Sequence, residues 1–281
     1  MNHSTLLQVR ALHHSYGPTE VLAGIDIDLP AGRCLALVGP SGCGKTTLLH
    51  LCAGLLDRQE GSIEQPFAPT AVMFQQPRLL PWMNTLDNIA LGLKARGLAR
   101  GARRAQARAM ALALDLPELS LAQYPAELSG GMQSRVALAR ALVLQPALLL
   151  MDEPFAALDV GLRYQLHRLL LQQQAASGMA VLMITHDLTE AVRLADEVLV
   201  MAPAPGRIVA RYRPPGAALA RSDALVHQGS AELQQHPAVR AAFDLPALIP
   251  QAASAAEPAS PASGSWLPVE QSCRRAQESC G

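Results

Sequence analysis

Nine residues, GPSGCGKTT at 39–47, constrain this chain more than any other stretch of it. Glycines at Gly39, Gly42 and Gly44 let successive backbone N–H groups turn inward around phosphate oxygens, while Lys45 and the N-terminal end of a following helix add positive charge. Pro40, Ser41, Cys43 and Thr47 fill out the loop, and Thr46 carries a hydroxyl suited to Mg²⁺. The apolar run CLALV precedes the loop and TTLLHLCAGLL follows it, so a buried strand leads into a helix through the loop. That context predicts a nucleotide site.

Other apolar runs are short, rich in Val, Ile and Leu, and alternate with longer helical patterns, which predicts an α/β core with buried strands. Strands are expected at Cys34–Val38, Ala71–Phe74, Leu148–Met151, Val181–Thr185 and Val198–Met201. Each ends at a loop or a chemically capable residue, as where ligands bind beyond the carboxyl ends of parallel strands. From Thr85 to Leu144 the pattern is helical with no convincing strand, so a helical insertion is expected there. Its basic middle, KARGLARGARRAQARAM, reads as a solvated helix face whose arginines lay their stems over apolar surface, with contact to lipid headgroups or nucleic acid as the alternative.

Half of the 281 residues are apolar, enough for a substantial core, and 23 Lys plus Arg balance 23 Asp plus Glu. No net field draws such a chain to nucleic acid. Five cysteines without paired spacing fit free thiols in a reducing compartment, and Cys273 and Cys280 lack the further ligands a zinc site needs. The opening MNHSTLLQVR lacks a signal-peptide pattern and no apolar run approaches the roughly 18 residues of a spanning helix, so a cytoplasmic location is expected. Beyond about Leu245 the composition turns to Ala, Pro, Ser and Gln, and residues 246–281 read as a disordered tail behind a 1–245 domain.

Further chemistry lies at strand ends. LLLMDEPFAALD places Asp152 and Glu153 side by side on a strand, where neighbouring side chains face opposite ways. Asp152 suits a metal, and Glu153 is then left to orient and deprotonate a water in line with a γ-phosphate. Gln75, in VMFQQPRLLPW, can ligate Mg²⁺ and hold that water, and His186, in MITHD, can bridge water and phosphate. Tyr16, in HHSYG, is a platform for adenine. LSGGMQSR at 128–135 is a second anion-ready corner, with Ser129 placed to cap the helix that follows.

The order of these elements, from Tyr16 and GPSGCGKTT through Gln75, LSGG, DE and AALD to His186, resembles the ATPase subunit of ATP-binding cassette (ABC) transporters across residues 6–211. LSGG is the signature separating that family from other P-loop proteins. The resemblance implies a P-loop NTPase core with a mostly parallel sheet, an antiparallel β subdomain and an inserted α-helical signature subdomain at about 85–144. It implies ATP and Mg²⁺ as ligands and a head-to-tail dimer, with an identical chain as the expected second ATPase subunit. Ser129, Gly130 and Gly131 of one copy would then close over the γ-phosphate held by the other, with Asp159 at the same interface.

Two membrane permease subunits and, indirectly, an extracytoplasmic solute-binding protein complete the implied assembly, at the cytoplasmic face of the inner membrane. Residues 76–89 would line the groove for the permease, with Arg78, Leu79, Leu80 and Trp82 in contact. RLLPW and MAPAPGRIV are similar to the nitrate, sulfonate and taurine branch of importers. A soluble cassette ATPase acting on DNA or ribosomes is the rival reading, opposed by the single cassette, the short 75–129 interval and the balanced charge. A non-hydrolysing regulator is opposed by Asp152 and Glu153. Two positions depart from the family: Ser134 stands where Gln is usual, and Cys43 puts a thiol at a helix N-terminus beside Lys45, which predicts a reactive thiolate that maleimide labels and MgATP protects.

Overall fold

A computed structural model describes residues 6–246 and 264–268. The chain divides into two compact units. The glycine-loop unit contains Leu6–Leu29, Cys34–Gln65 and the described residues from Ile184 onward; the helical unit contains Pro30–Arg33 and Pro66–Met183.

In the glycine-loop unit, β1 (Leu6–Tyr16) and β2 (Thr19–Pro30) lead to β3 (Cys34–Val38), α1 (Lys45–Cys52) and β4 (Glu60–Glu64). β1 is the middle of a three-stranded sheet ordered β2-β1-β4 and runs antiparallel to β4. Alternate residues of β1 are buried, the pattern of a sheet packed on one face. β3 is buried at every position, which is why its sequence is continuously apolar.

The helical unit opens with β5 (Thr70–Met73), then α2 (Thr85–Ile89), α3 (Leu91–Ala95), α4 (Arg100–Ala113) and α5 (Gly130–Leu142). Only helices and turns occupy residues 85–144. α4 buries Ala107 and Ala111 alone, and Arg104 and Arg108 on it pair with Asp87 and Glu118 at 2.5 and 2.7 Å. The basic stretch is thus a solvated face with paired charges. β6 (Leu148–Asp152) lies parallel to β5, from Thr70 opposite Leu148 to Met73 opposite Met151. α6 (Val160–Ser177) follows, capped by the Asp159 carboxylate on the Leu162 N–H at 3.0 Å, and β7 (Ala180–Ile184) closes the unit.

The chain then re-enters the glycine-loop unit as α7 (Leu188–Leu194), β8 (Glu197–Ala202), β9 (Arg207–Arg213), α8 (Asp223–Gln235) and α9 (Pro237–Ala242). β8 is parallel to β3, with Leu35 opposite Glu197, and antiparallel to β9. Parallel strands predominate in the core sheet, with the β1 sheet apart and antiparallel, as expected. Each Val, Leu or Ile side chain fully buried in these strands contributes about 1.5–3 kcal/mol against solvent.

The tail departs from its composition. Within the stretch expected to lack order, β10 (Ser265–Leu267) pairs antiparallel with β9, Trp266 opposite Tyr212. One large aromatic ring, packed against Tyr212 and His236, provides the apolar contact that Ala, Pro and Ser cannot. Cys273 and Cys280 lie outside the described residues, as does most of 246–281. Among the described residues no helix is long and apolar enough to cross a membrane.

Candidate functional site

Gly44 enters α1 at φ 93, and a Cβ there would meet Leu22 Cδ2 at 2.6 Å, so only glycine serves. Gly44, the N-cap of α1, has no side chain to offer as a cap, and the positive pole of the helix lies at the loop. Lys45 is buried, and its Nζ donates to the carbonyls of Gly39 and Pro40, both at 2.8 Å. The turn between β8 and β9 packs behind the loop: Gly206 donates to the Val21 carbonyl at 2.8 Å, and a Cβ on it would lie 2.2 Å from the Cys43 oxygen. Ser41, Gly42 and Thr46 are exposed, Pro40, Gly44 and Thr47 half-buried. A rigid backing with an open rim is what a phosphate loop requires.

Two further expected residues belong to this unit. The Thr185 N–H donates to the Leu37 carbonyl at 3.1 Å, which fixes the chain just before an exposed His186. Tyr16, at the end of β1, is 51% exposed and meets His14 edge-on, with ring centroids 4.9 Å apart.

The helical unit holds the carboxylates. β6 ends in Asp152, which is buried, and Glu153 follows half-buried, so the two acids do have different surroundings. Glu153 has φ 46, a backbone state costly for a residue with a Cβ and concentrated at functional sites. Gln75 Nε2 donates to Glu153 Oε2 at 3.2 Å, so the amide aims the carboxylate. Ser129 caps α5, its Oγ accepting from the Met132 N–H at 3.3 Å; Ser129 and Gly130 are exposed and Gly131 half-buried.

Beyond Gln75 the chain is pinned by two residues that the sequence alone did not single out. Arg140 on α5 donates to the carbonyls of Pro77 and Arg78 at 2.7 and 3.0 Å, and burial lowers its pKa. Asn88 on α2 is fully buried; its amide nitrogen donates to the carbonyls of Leu80 and Met83 at 3.1 and 2.9 Å, and its oxygen accepts from the Leu80 N–H at 2.8 Å. A polar residue at a core-facing helix position was the available signal. Of the four contact residues expected, Trp82 is 70% exposed and lines a hollow of about 310 Å³ with Lys94, Arg100, Arg103 and Tyr124. Leu79 and Leu80 are half-buried instead, and the Arg78 guanidinium sits 4.4 Å above the Phe74 ring.

Residues 22–156 match the family described as ABC transporter. The chain is 48% identical over 201 residues to a taurine import ATP-binding protein of Chromobacterium violaceum, a match covering 69% of this chain and 77% of that one. The chain belongs to the ABC transporter family. An aliphatic sulfonates import ATP-binding protein of Corynebacterium glutamicum is 46% identical over 193 residues, 69% of this chain and 79% of its own length. A dimeric bacterial ABC transporter cassette superposes with a TM-score of 0.69 at 25% identity, over 75% of this chain and 100% of that one.

As an ABC ATP-binding subunit the chain is an ATPase that works in a complex with permease subunits. Both departures from the ABC pattern have local accounts. Ser134 Oγ donates to the Gly130 carbonyl at 3.1 Å, and the neighbouring Gln133 amide ties the approach to α5 by bonds to Pro125 and Leu128 at 3.0 and 3.3 Å. Cys43 corrects an expectation: it is 1% exposed, with Sγ 3.6 Å from Lys45 Nζ. Gly39 and the Lys45 ammonium lie against the sulfur, so its place at a helix start does not make it accessible.

Mg²⁺ prefers oxygen ligands and keeps several waters beside substrate phosphates and one or two carboxylates. Thr46, Gln75 and Asp152 all offer oxygen, and no group of three or more His, Cys, Asp or Glu among the described residues forms a cage of its own. Oxygen donors of this kind, Thr46 in the glycine-loop unit and Gln75 and Asp152 in the helical unit, are of the type that Mg²⁺ accompanying a nucleotide takes.

Proposed function

We propose that this chain energises import of taurine, a sulfonate, nitrate or a similar small solute, and that Glu153 is the base for ATP hydrolysis. The names of its relatives support the solute class, and the observation carrying the chemistry is Glu153 held at φ 46 with its carboxylate bonded to Gln75.

In this reading the backbone of Gly39, Pro40, Ser41, Gly42, Cys43 and Gly44, the pole of α1, Lys45 and Thr47 bind the β- and γ-phosphates, and Tyr16 stacks on adenine. Lys45 Nζ exchanges its loop carbonyls for phosphate oxygens. Thr46, Gln75 and Asp152 would hold Mg²⁺, which would supply positive charge to offset that of the phosphates. Glu153 takes a proton from the attacking water as that water's oxygen bonds to the γ-phosphorus; the bond to the bridging oxygen breaks and ADP leaves with that electron pair. His186 holds the water against the γ-phosphate.

Ser129, Gly130 and Gly131 close a site held by a second copy, through N–H groups and the pole of α5. Loss of the γ-phosphate removes those contacts and lets the copies part. The hollow beside Trp82 receives the permease, which holds the subunit at the cytoplasmic face of the membrane, and a binding protein supplies solute from outside.

Glu153→Gln tests the reading. Phosphate release should fall by about 10²-fold or more while MgATP affinity stays within about threefold of the original chain. Turnover at the original rate would overturn it.

A further inference from the structure

Up to Val9, β1 buries its odd-numbered residues, Leu7 and Val9; beyond Arg10 it buries the even-numbered Leu12 and His14. The pairing with β4 slips between Arg10 and His13, and Ala11 stands at φ 42. One extra residue has reversed the phase of the strand, the effect of a bulge. Gly61 on β4 permits it, since a Cβ there would lie 2.4 Å from the Ala11 carbonyl oxygen. The reversal carries Leu12 and His14, with Tyr16 two residues on, onto the side that Leu7 and Val9 occupy.

His14 is 5% exposed, and neither ring nitrogen has a hydrogen-bond partner among the described residues. Leaving a buried polar group unpaired is costly, so an aliphatic residue would serve packing better. What the imidazole does make is a T-shaped contact with Tyr16, at 4.9 Å and 82° between rings, while half of Tyr16 stays open.

We propose that His14 is a positioning residue for nucleobase recognition: delivered by the bulge, its ring sets the plane of Tyr16 so that the open phenol face receives adenine. The inference rests on Tyr16 being the adenine platform. Edge-to-face ring contacts are directional, whereas an aliphatic neighbour would let the phenol rotate.

Affinities for ATP and for tripolyphosphate, each with Mg²⁺, measured by titration calorimetry on the full chain, test it. His14→Leu keeps bulk but no ring, and should weaken ATP about two- to tenfold without changing tripolyphosphate affinity. His14→Phe should restore ATP affinity. Unchanged ATP affinity in His14→Leu beside a weakened Tyr16→Ala overturns the proposal, as does equal weakening of both ligands or a failure of His14→Phe to rescue. Unchanged ATP affinity in Tyr16→Ala would instead remove the adenine platform itself.

Discussion

Trp266 lies on His236 with 3.6 Å between ring centroids and 21° between planes. Around this stack the Gly264 N–H and the Tyr212 hydroxyl both donate to the Glu232 carboxylate, at 3.2 and 2.7 Å. A short strand from a low-complexity region is thereby clamped to the edge of β9. Trp266→Ala should cost about 1–2 kcal/mol, less than a fully buried aromatic because the ring is partly exposed. The midpoint of urea unfolding should move down accordingly; an unmoved midpoint would show that β10 adds nothing.

The same stack makes stability depend on pH. Burial pushes the pKa of His236 down, and its neutral Nδ1 accepts the Ala238 N–H at 3.3 Å. The unfolded chain therefore takes up a proton first. The contribution of neutral His236 is complete above the ordinary histidine value of about 6.5 and is lost as pH falls below that toward the depressed folded value. Between about pH 7.5 and 5.5 the unfolding midpoint should drop more for the original chain than for His236→Gln. Equal slopes would contradict the assignment.

Strand positions were legible in the sequence because continuous burial leaves a continuous apolar run: Cys34–Val38 and the runs behind Asp152 and His186 fall within a residue of the observed strands. β1 was not placed, since its bulge at Ala11 interrupts the alternation that marks an exposed-face strand. Glu153, Gln75 and the glycine loop were legible because their chemistry is local. Burial of Cys43 was not, because it depends on how the loop curls its thiol inward against Gly39 and Lys45, which residue type does not report. Arg140 and Asn88 escaped although each is a polar residue at a core-facing helix position, because the groups they hold are backbone, and backbone partners leave no trace in residue type.

Gln75→Ala should lower kcat by about ten- to a hundredfold and change KM much less, because the bond that aims Glu153 is lost while a water can replace the amide oxygen proposed for Mg²⁺. Steady-state phosphate release over a range of ATP concentrations measures both constants. A change confined to KM would assign Gln75 to ground-state binding and not to aiming Glu153.

Burial should protect Cys43 from maleimide in the folded chain, with or without MgATP. Cys34 and Cys52 are also buried, which pushes both thiols up, Cys52 to about 12, so they too should label slowly at neutral pH. Peptide mapping after brief exposure separates these positions from the other cysteines. Rapid modification of the Cys43 peptide in native protein would mean that the phosphate loop opens readily.

In the function proposed above, a chain with one glycine loop and one signature corner completes each nucleotide site with a second copy. Phosphate release per chain, followed against protein concentration at saturating ATP and Mg²⁺, tests this most directly. The rate per chain should climb with concentration and level off as copies pair, in step with a dimer seen by sizing chromatography. A constant rate per chain across the whole range, from protein that stays monomeric throughout, would contradict the account.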